Sequence, residues 1–536
     1  MKKISLLILI SFSLFLFGCE QSVDQVEFEN EQNNAVAGDY NNYSISTQEK
    51  NGDNENSTPK SGGTLRLSMR MPKTLNPLIN EDVTVDKALK LIFEPLFKID
   101  ETGKVVSNIA DSYAINNDIL TINLKSGLSW HNGSPITAKD VIFSINTIKA
   151  QGDKSLYKDS VANISSVIDN GNSLTIKLSK AYYYNIRNLS FPIIPSNYYD
   201  GKLALDSDVS FKPMGSGSFK FSSYQLAHSL NLEKCNGVNG SPYIDNVSVI
   251  ITDDRQTDLY AFEQSITDVV QSDISEWGKY NVGKNINITE FNTNNFEFLG
   301  YNFKNAMLAN IVIRQAISHA VPISEIFESV YLKHGVESYL PINPNSWFYA
   351  KDSLKPPKYS IEEASSIIEK SGYKKENLTF SILVNSDNKS RCEAATMIAD
   401  RLNQIGFNIT VNRQPFETYK SMLASDNFDM FIGGVKFSNS GEISPFLSTI
   451  GITNGINYCN YSNPQMDELI AKTQNATSDD AFKTAQEELQ KFIESQIPCT
   501  GLCFKYSAIL TNSNINGEKH PVVDNIFNDI QKWYIN

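Results

Sequence analysis

The chain has 536 residues, 41% of them hydrophobic and 11% aromatic, and its 47 Lys and Arg against 60 Asp and Glu give a formal charge of −13. That composition builds packed cores and excludes a chain disordered throughout, and at roughly 150 residues per domain the length suggests about three structural units. The acidic balance argues against nucleic acid as a partner, because affinity for it depends on Lys and Arg neutralising phosphates.

Lys2 and Lys3 precede an apolar run from Ile4 to Phe17, followed by Gly18-Cys19. Residues 1–18 therefore read as a signal peptide, since the run falls short of the roughly 20 apolar residues that a retained spanning helix needs. Leu16-Phe17-Gly18-Cys19 resembles a bacterial lipobox, which implies that Cys19 is lipidated and becomes the first residue of the mature protein. Two acyl chains, at about 0.8 kcal/mol per buried methylene, anchor a protein stably to a membrane. Residues 19–61 then read as the lipidated cysteine and a disordered acidic tether. Residues 20–60 hold nine acids against Lys50 and Lys60 and show no hydrophobic periodicity, so ordering entropy goes unrepaid. A flexible coil of that length spans on the order of 35 Å.

Gly62 to Met69 alternates as a half-buried strand, and Asp86 to Phe97 carries a helical apolar stripe. Asp118 to Lys125 and Asn172 to Leu178 alternate as strands, and Thr137 to Ile148 reads as a helix entered from Ser134-Pro135. A second α/β stretch has helices at Ile311 to Ala320, Ile361 to Lys370 and Cys392 to Gln404, and strands at Leu378 to Val384 and Phe407 to Val411. The tail carries a long helical pattern from Gln465 to Gln496 and a strand near Ser507 to Leu510. Beyond Cys19 the cysteines are Cys235, Cys392, Cys459, Cys499 and Cys503, an odd number. They read as small buried residues with room for a bridge such as Cys499 to Cys503, and as a poor zinc site.

Leu128-Ser129-Trp130-His131-Asn132-Gly133-Ser134-Pro135-Ile136-Thr137-Ala138-Lys139-Asp140-Val141 is the most distinctive run. Asn132-Gly133 is a turn dipeptide, and Thr137 with Asp140 three residues on starts a helix. His131 reads as a turn residue, because no second metal ligand stands at suitable spacing. This run resembles the signature of the extracellular solute-binding protein family 5, the peptide and nickel class of ABC importer proteins. Thr74-Leu75-Asn76-Pro77-Leu78, Ile92-Phe93-Glu94-Pro95-Leu96, Gly215-Ser216-Gly217-Ser218-Phe219 and Leu299-Gly300-Tyr301-Asn302-Phe303 resemble further segments in order. The family's Asn-Pro-x-Tyr-Trp segment is missing, and Lys234-Cys235-Asn236-Gly237 stands nearby instead.

The resemblance implies an α/β, two-lobed periplasmic-binding-protein-like fold (type II, cluster C) with an extra subdomain in the first lobe. Lobe I would comprise 62–96, 213–298 and 508–536, the subdomain 97–212, and lobe II 299–507. Hinge segments are expected near Phe296 to Tyr301 and Lys505 to Leu510, with the ligand enclosed between the lobes. In peptide-binding relatives an aspartate of the second lobe meets the ligand's ammonium. The corresponding run here is Lys436-Phe437-Ser438-Asn439-Ser440-Gly441-Glu442, with Asn439 at the aspartate's place and Lys436 replacing an aromatic. An amide does not neutralise an ammonium, and the added lysine favours a carboxylate or another anion. Glu442 is either a substitute counter-charge or a solvated loop carboxylate. Across the cleft, Glu81-Asp82-Val83-Thr84 corresponds to a first-lobe strand whose backbone pairs with an extended peptide.

The leader, the tether and the resemblance together imply a lipid-anchored solute-binding protein on the extracytoplasmic face of a bacterial membrane. It is expected to be a monomer without cofactor that captures peptides and passes them to a permease and ATPase complex. Nickel or metallophore binding, or a ligand-sensing lipoprotein, are the alternatives. A hydrolase is not expected, since neither Gly-x-Ser-x-Gly nor His-Glu-x-x-His occurs and the five histidines are scattered.

Overall fold

The computed structural model describes residues 59–272, 285–374, 377–437 and 442–536, together with the backbone of Glu27 and Phe28. Its spine is a pair of long antiparallel strands, Ile286–Tyr301 and Cys499–Asn512. They lie side by side in a mixed sheet that continues through Met430–Lys436, Thr379–Asn385 and Asn408–Gln414 on one flank and Val269–Ser272 on the other. The pairing of the two strands shifts register between Asn292 and Phe296, where Asn292 faces Tyr506 and Phe296 faces Phe504. Thr293 Oγ1 donates to the Lys505 carbonyl across this break at 2.6 Å.

On one side of the break lies the first lobe. Thr64–Met69 pairs in parallel with Asn246–Ile251, and Ser229–Lys234 and Phe219–Gln225 complete a four-stranded sheet. Arg66 clamps this sheet to the spine by donating Nε and Nη2 to Asp268 at 3.0 and 2.5 Å. An antiparallel sheet of Ala110–Asn116, Ile119–Leu124, Ser173–Leu178 and Ile164–Asp169 forms the subdomain with the helix Ala138–Gln151. Both sheets share one hydrophobic core, which runs from Leu65 and Leu67 through Phe97, Ile122, Ile145 and Ile176 to Trp533. The helix starts where its cap residues predict: Thr137 is the N-cap, and Asp140 accepts from Thr137 N and, with its other oxygen, from Ser196 N and Oγ, all at 2.8 Å.

The second lobe packs helices on both faces of its part of the sheet, each face with its own core. Ile311–Ala320, Ile361–Ser371 and Lys389–Gln404 cover one face. The long helical pattern of the tail resolves into Pro464–Gln474 and Asp479–Gln496, because Ser478 caps the second helix by accepting from Ala481 N. The helix expected at Asp86 to Phe97 is Val83–Leu89 instead. Its continuation is prevented by the turn at Gly215 to Phe219, whose amides take the carbonyls of Leu91 and Ile92 at 2.8–3.1 Å. A Cβ on Gly215 would lie 2.0 Å from the Ile92 oxygen, so only glycine lets the two segments meet.

Candidate ligand site between the lobes

Strand Met430–Lys436 belongs to the second-lobe part of the sheet. One edge pairs with Asn295 to Tyr301 along its full length. The other pairs with Thr379–Asn385 only at Met430 and Phe431, and Ile432 spends its carbonyl on the Tyr419 hydroxyl at 2.9 Å. Beyond that point, the only strand on this edge among the described residues is Glu27–Phe28, antiparallel to it, with Glu27 facing Lys436 and Phe28 facing Val435. The end of the strand is therefore an edge that accepts an extended main chain, the arrangement used in β-augmentation.

The sequence-predicted residues distribute unevenly around this edge. Lys436 is exposed at its tip. Phe437 is 4% exposed, and its ring packs against Phe296, Phe446 and Phe504. Asn439 lies outside the described residues, as does Cys19. Glu442 is neither solvated nor free to swing inward. It is buried and accepts from the Tyr182 hydroxyl and from Gln474 Nε2, a link between the subdomain and the second lobe. Beside it opens a cavity of about 1040 Å³ lined by Lys180, Tyr182, Glu442, Ser448 and Gln474.

The first-lobe segment also differs from its expected strand. Asp82 is the N-cap of Val83–Leu89 and accepts from Thr84 N at 2.7 Å and Val85 N at 3.1 Å. A carboxylate directly before the β-branched run here starts a helix, so the amides at its start bond to Asp82 and are not offered to a ligand. Val83 is 57% exposed, and Glu81 pairs with Lys73 at 2.9 Å on the surface. Thr84 borders a cavity of about 280 Å³ whose other walls include Arg70, Lys87, Arg255 and Gln271. These cations do not stand out in the sequence, where Arg70 looks like the ordinary end of a strand and Arg255 like the start of a helix. Arg70 donates Nη1 and Nη2 to the two oxygens of Asp258 at 3.0 and 2.7 Å. Burial pushes the Asp258 carboxyl up, yet its hydrogen bonds to Arg70 and Thr252 hold it below the usual range.

A tyrosine run joins the lobes. Tyr183 N donates to the Gln474 carbonyl at 2.6 Å, its ring stacks on Phe482 at 4.2 Å, and its hydroxyl donates to Asp479 Oδ1 at 2.8 Å. Tyr113, from the subdomain sheet, donates to the same oxygen at 3.0 Å. Burial, reinforced by Asp479, keeps the phenols of Tyr113 and Tyr183 protonated well above their usual range. Tyr182 and Tyr184 pack into the core of the second lobe although they belong to the subdomain's chain. The sequence signal for this contact is three consecutive tyrosines in a loop, too aromatic for a segment left in water.

Residues 104–458 match the family described as bacterial extracellular solute-binding proteins, family 5 Middle. The chain belongs to that family. Its members are extracytoplasmic solute-binding proteins. The chain is 24% identical to the oligopeptide-binding protein AppA of Bacillus subtilis over 89% of this chain and 92% of that one. AppA has been solved with a nonapeptide, and that structure superposes with a TM-score of 0.58 at 22% identity, covering 89% of this chain and all of the other. The nickel-binding protein NikA of Staphylococcus aureus is 24% identical over 80% of this chain and 86% of its own. CtaP of Listeria monocytogenes, an ABC transporter substrate-binding protein, superposes at a TM-score of 0.71 with 21% identity, over 89% of this chain and all of its own.

In this family 5 protein two motif segments support each other. His131 Nε2 donates to the Gly217 carbonyl at 3.0 Å, and Nδ1 accepts from Gly215 N at 3.4 Å, so the imidazole is neutral and holds the glycine turn. Burial pushes its pKa down. Cys235, Cys392, Cys459, Cys499 and Cys503 are free thiols. Cys499 and Cys503 lie four residues apart on one strand, a separation of roughly 13 Å that a disulfide does not bridge. Among the described residues no three His, Cys, Asp or Glu side chains gather as a metal site, and no helix is long and apolar enough to cross a membrane.

Proposed function

We propose that this family 5 protein captures extended peptides between its lobes and delivers them to the permease and ATPase of an ABC importer. The observation that carries this reading is the edge at Val435 and Lys436, which already takes an extended antiparallel segment and makes few demands on its side chains. The nonapeptide bound by AppA supports the same ligand class. The protein acts as a monomer, binds without cofactor and performs no chemistry on its ligand.

Lobe I comprises 62–96, 213 up to the hinge, and the chain from beyond the return crossing to 536, the subdomain is 97–212, and lobe II lies between the two hinge crossings, so that Phe296 to Phe298 belong to lobe II. The hinge lies where the two long strands break register, at Thr293 to Asn295 and Lys505, a few residues before Phe296 to Tyr301. Phe296 to Gly300 is locked between two neighbours, paired on one side with Met430–Lys436 and on the other with Cys499 to Phe504. Ligand shifts the lobes toward closure only through contacts made better in the closed form. The clasp around Tyr183 and Asp479 supplies part of the closed form's stability. Cys19 carries a lipid that tethers the protein to the outer face of the membrane, with residues 20–61 as the leash.

With Asn439 where relatives hold an aspartate, the free amine of a peptide is bound less strictly, and Lys436 favours peptides with an acidic group nearby. Calorimetry with paired free and N-acetylated peptides tests this: the two bind alike to the wild type, and Asn439→Asp strengthens only the free-amine form. Binding of nickel chelates with no peptide bound at all would replace this reading with the nickel one.

A further inference from the structure

The strand edge at Val435 and Lys436 is occupied by the protein itself. We propose that the segment around Glu27 and Phe28 is a built-in competitor for the peptide site, a proposal that rests on the peptide reading above. The antiparallel register puts Glu27 opposite Lys436 and Phe28 opposite Val435, with the remaining edge toward Ile432 unpaired by any other strand among the described residues. An unpaired strand end leaves backbone donors and acceptors that favour any extended chain within reach.

Reach is not limiting. Thirty residues separate Phe28 from Pro59, and the pairing itself shows that this connection covers the distance. A connection of that length presents its end at an effective concentration in the millimolar range. Pairing that would be negligible between separate molecules is then well populated, yet it yields to a peptide that also makes side-chain contacts with both lobes. Charge adds selectivity. In the sequence Glu27 is flanked by Asp24, Glu29 and Glu31, and it is Glu27 that pairs opposite Lys436. The same chemistry describes the peptides that compete best: extended, with an acidic residue in register with Lys436.

The device has a consequence for the membrane-bound protein. With Glu27 and Phe28 docked, the leash from Cys19 to the body is shortened to a few residues. A peptide that displaces them lengthens it, so the loaded body gains radius of movement and the empty one is held close.

The test uses the mature chain with Cys19→Ser and the same chain with Phe28→Pro, which removes a backbone donor and disfavours strand pairing. The probes are a synthetic peptide of residues 23–32 added in trans and a mixed pentapeptide library. The expected result is that the trans peptide binds the Phe28→Pro protein at least fivefold more tightly than the parent. Hydrogen exchange across residues 24–32 of the parent should be slow without library and fast with it. Equal affinity of the trans peptide in both proteins, or exchange indifferent to library, overturns the proposal while library binding keeps the peptide reading intact. A failure of both probes to bind either protein overturns both.

Discussion

Arg391 donates Nε and Nη2 to the two carboxylate oxygens of Glu297, each at 2.8 Å, with both side chains sealed from solvent. Lys505 stands 3.2 Å from the same carboxylate. Glu297 and Lys505 sit on the two spine strands and Arg391 on the helix Lys389–Gln404, so one carboxylate ties together the elements beside the register break. Burial pushes Glu297 up, but the charges of Arg391 and Lys505 outweigh it and hold the carboxyl below its usual range. A Cβ on Gly434 would come within 1.9 Å of Arg391 Nη2, which explains glycine at a buried strand position.

Glu297→Gln therefore leaves two cations facing a neutral amide. Urea denaturation is expected to show a loss of about 3–5 kcal/mol, the usual cost of breaking a buried pair from one side. Gly434→Ala should lose stability as well, by displacing the guanidinium. Because the folded pKa of Glu297 is depressed, its contribution is complete above the ordinary carboxylate range and is lost as pH falls through the lowered value.

Removing the clasp should open the lobes. Asp479→Ala deprives Tyr113 and Tyr183 of their shared acceptor, which costs the closed form roughly 1–3 kcal/mol. Small-angle scattering of the ligand-free variant should show a larger radius of gyration than the parent, and peptide affinity should fall with it. An unchanged radius would mean that the clasp does not control closure.

Lys519 provides a pH signature. Burial lowers its pKa to about 8, while its ammonium donates to the Ile515 carbonyl and lies 5.6 Å from the Trp533 ring. The unfolded chain holds that proton more tightly than the folded one, so the penalty is full below the folded pKa, shrinks as pH rises toward the ordinary lysine value and vanishes above it. Lys519→Met should stabilise the protein at neutral pH by roughly 1–3 kcal/mol, and the gain over wild type should fade when unfolding is followed into the alkaline range.

Much of this is legible in the sequence because local and tertiary preferences agree. The bounds of Ile311–Ala320 can be read to the residue: its apolar stripe begins directly after Asn310, whose side chain accepts from Val312 N. The Trp130 to Val141 run carries both the family likeness and a helix start that the folded chain keeps. The site is less legible, because its residues are defined by distant partners. Nothing near Glu442 in sequence announces Tyr182 of another lobe, and nothing near Phe437 announces the ring of Phe504. Glu81 to Thr84 reads as a strand by resemblance alone, whereas Asp82 caps Val83–Leu89 into a helix.

The leash makes its own prediction. Cys19→Ser should release the protein from membranes into the soluble fraction, and deleting residues 32–55 should leave the thermal midpoint of the body nearly unchanged. Retention of the Cys19→Ser protein on membranes after a salt wash would place the anchor elsewhere.

Affinity mass spectrometry tests peptide capture most directly. The mature Cys19→Ser protein, purified without denaturant and offered a random peptide library, should retain extended peptides of mixed sequence enriched in acidic residues, and lose them when Asp479→Ala opens the lobes. Retention of no peptide, or retention unaffected by that substitution, would contradict the account.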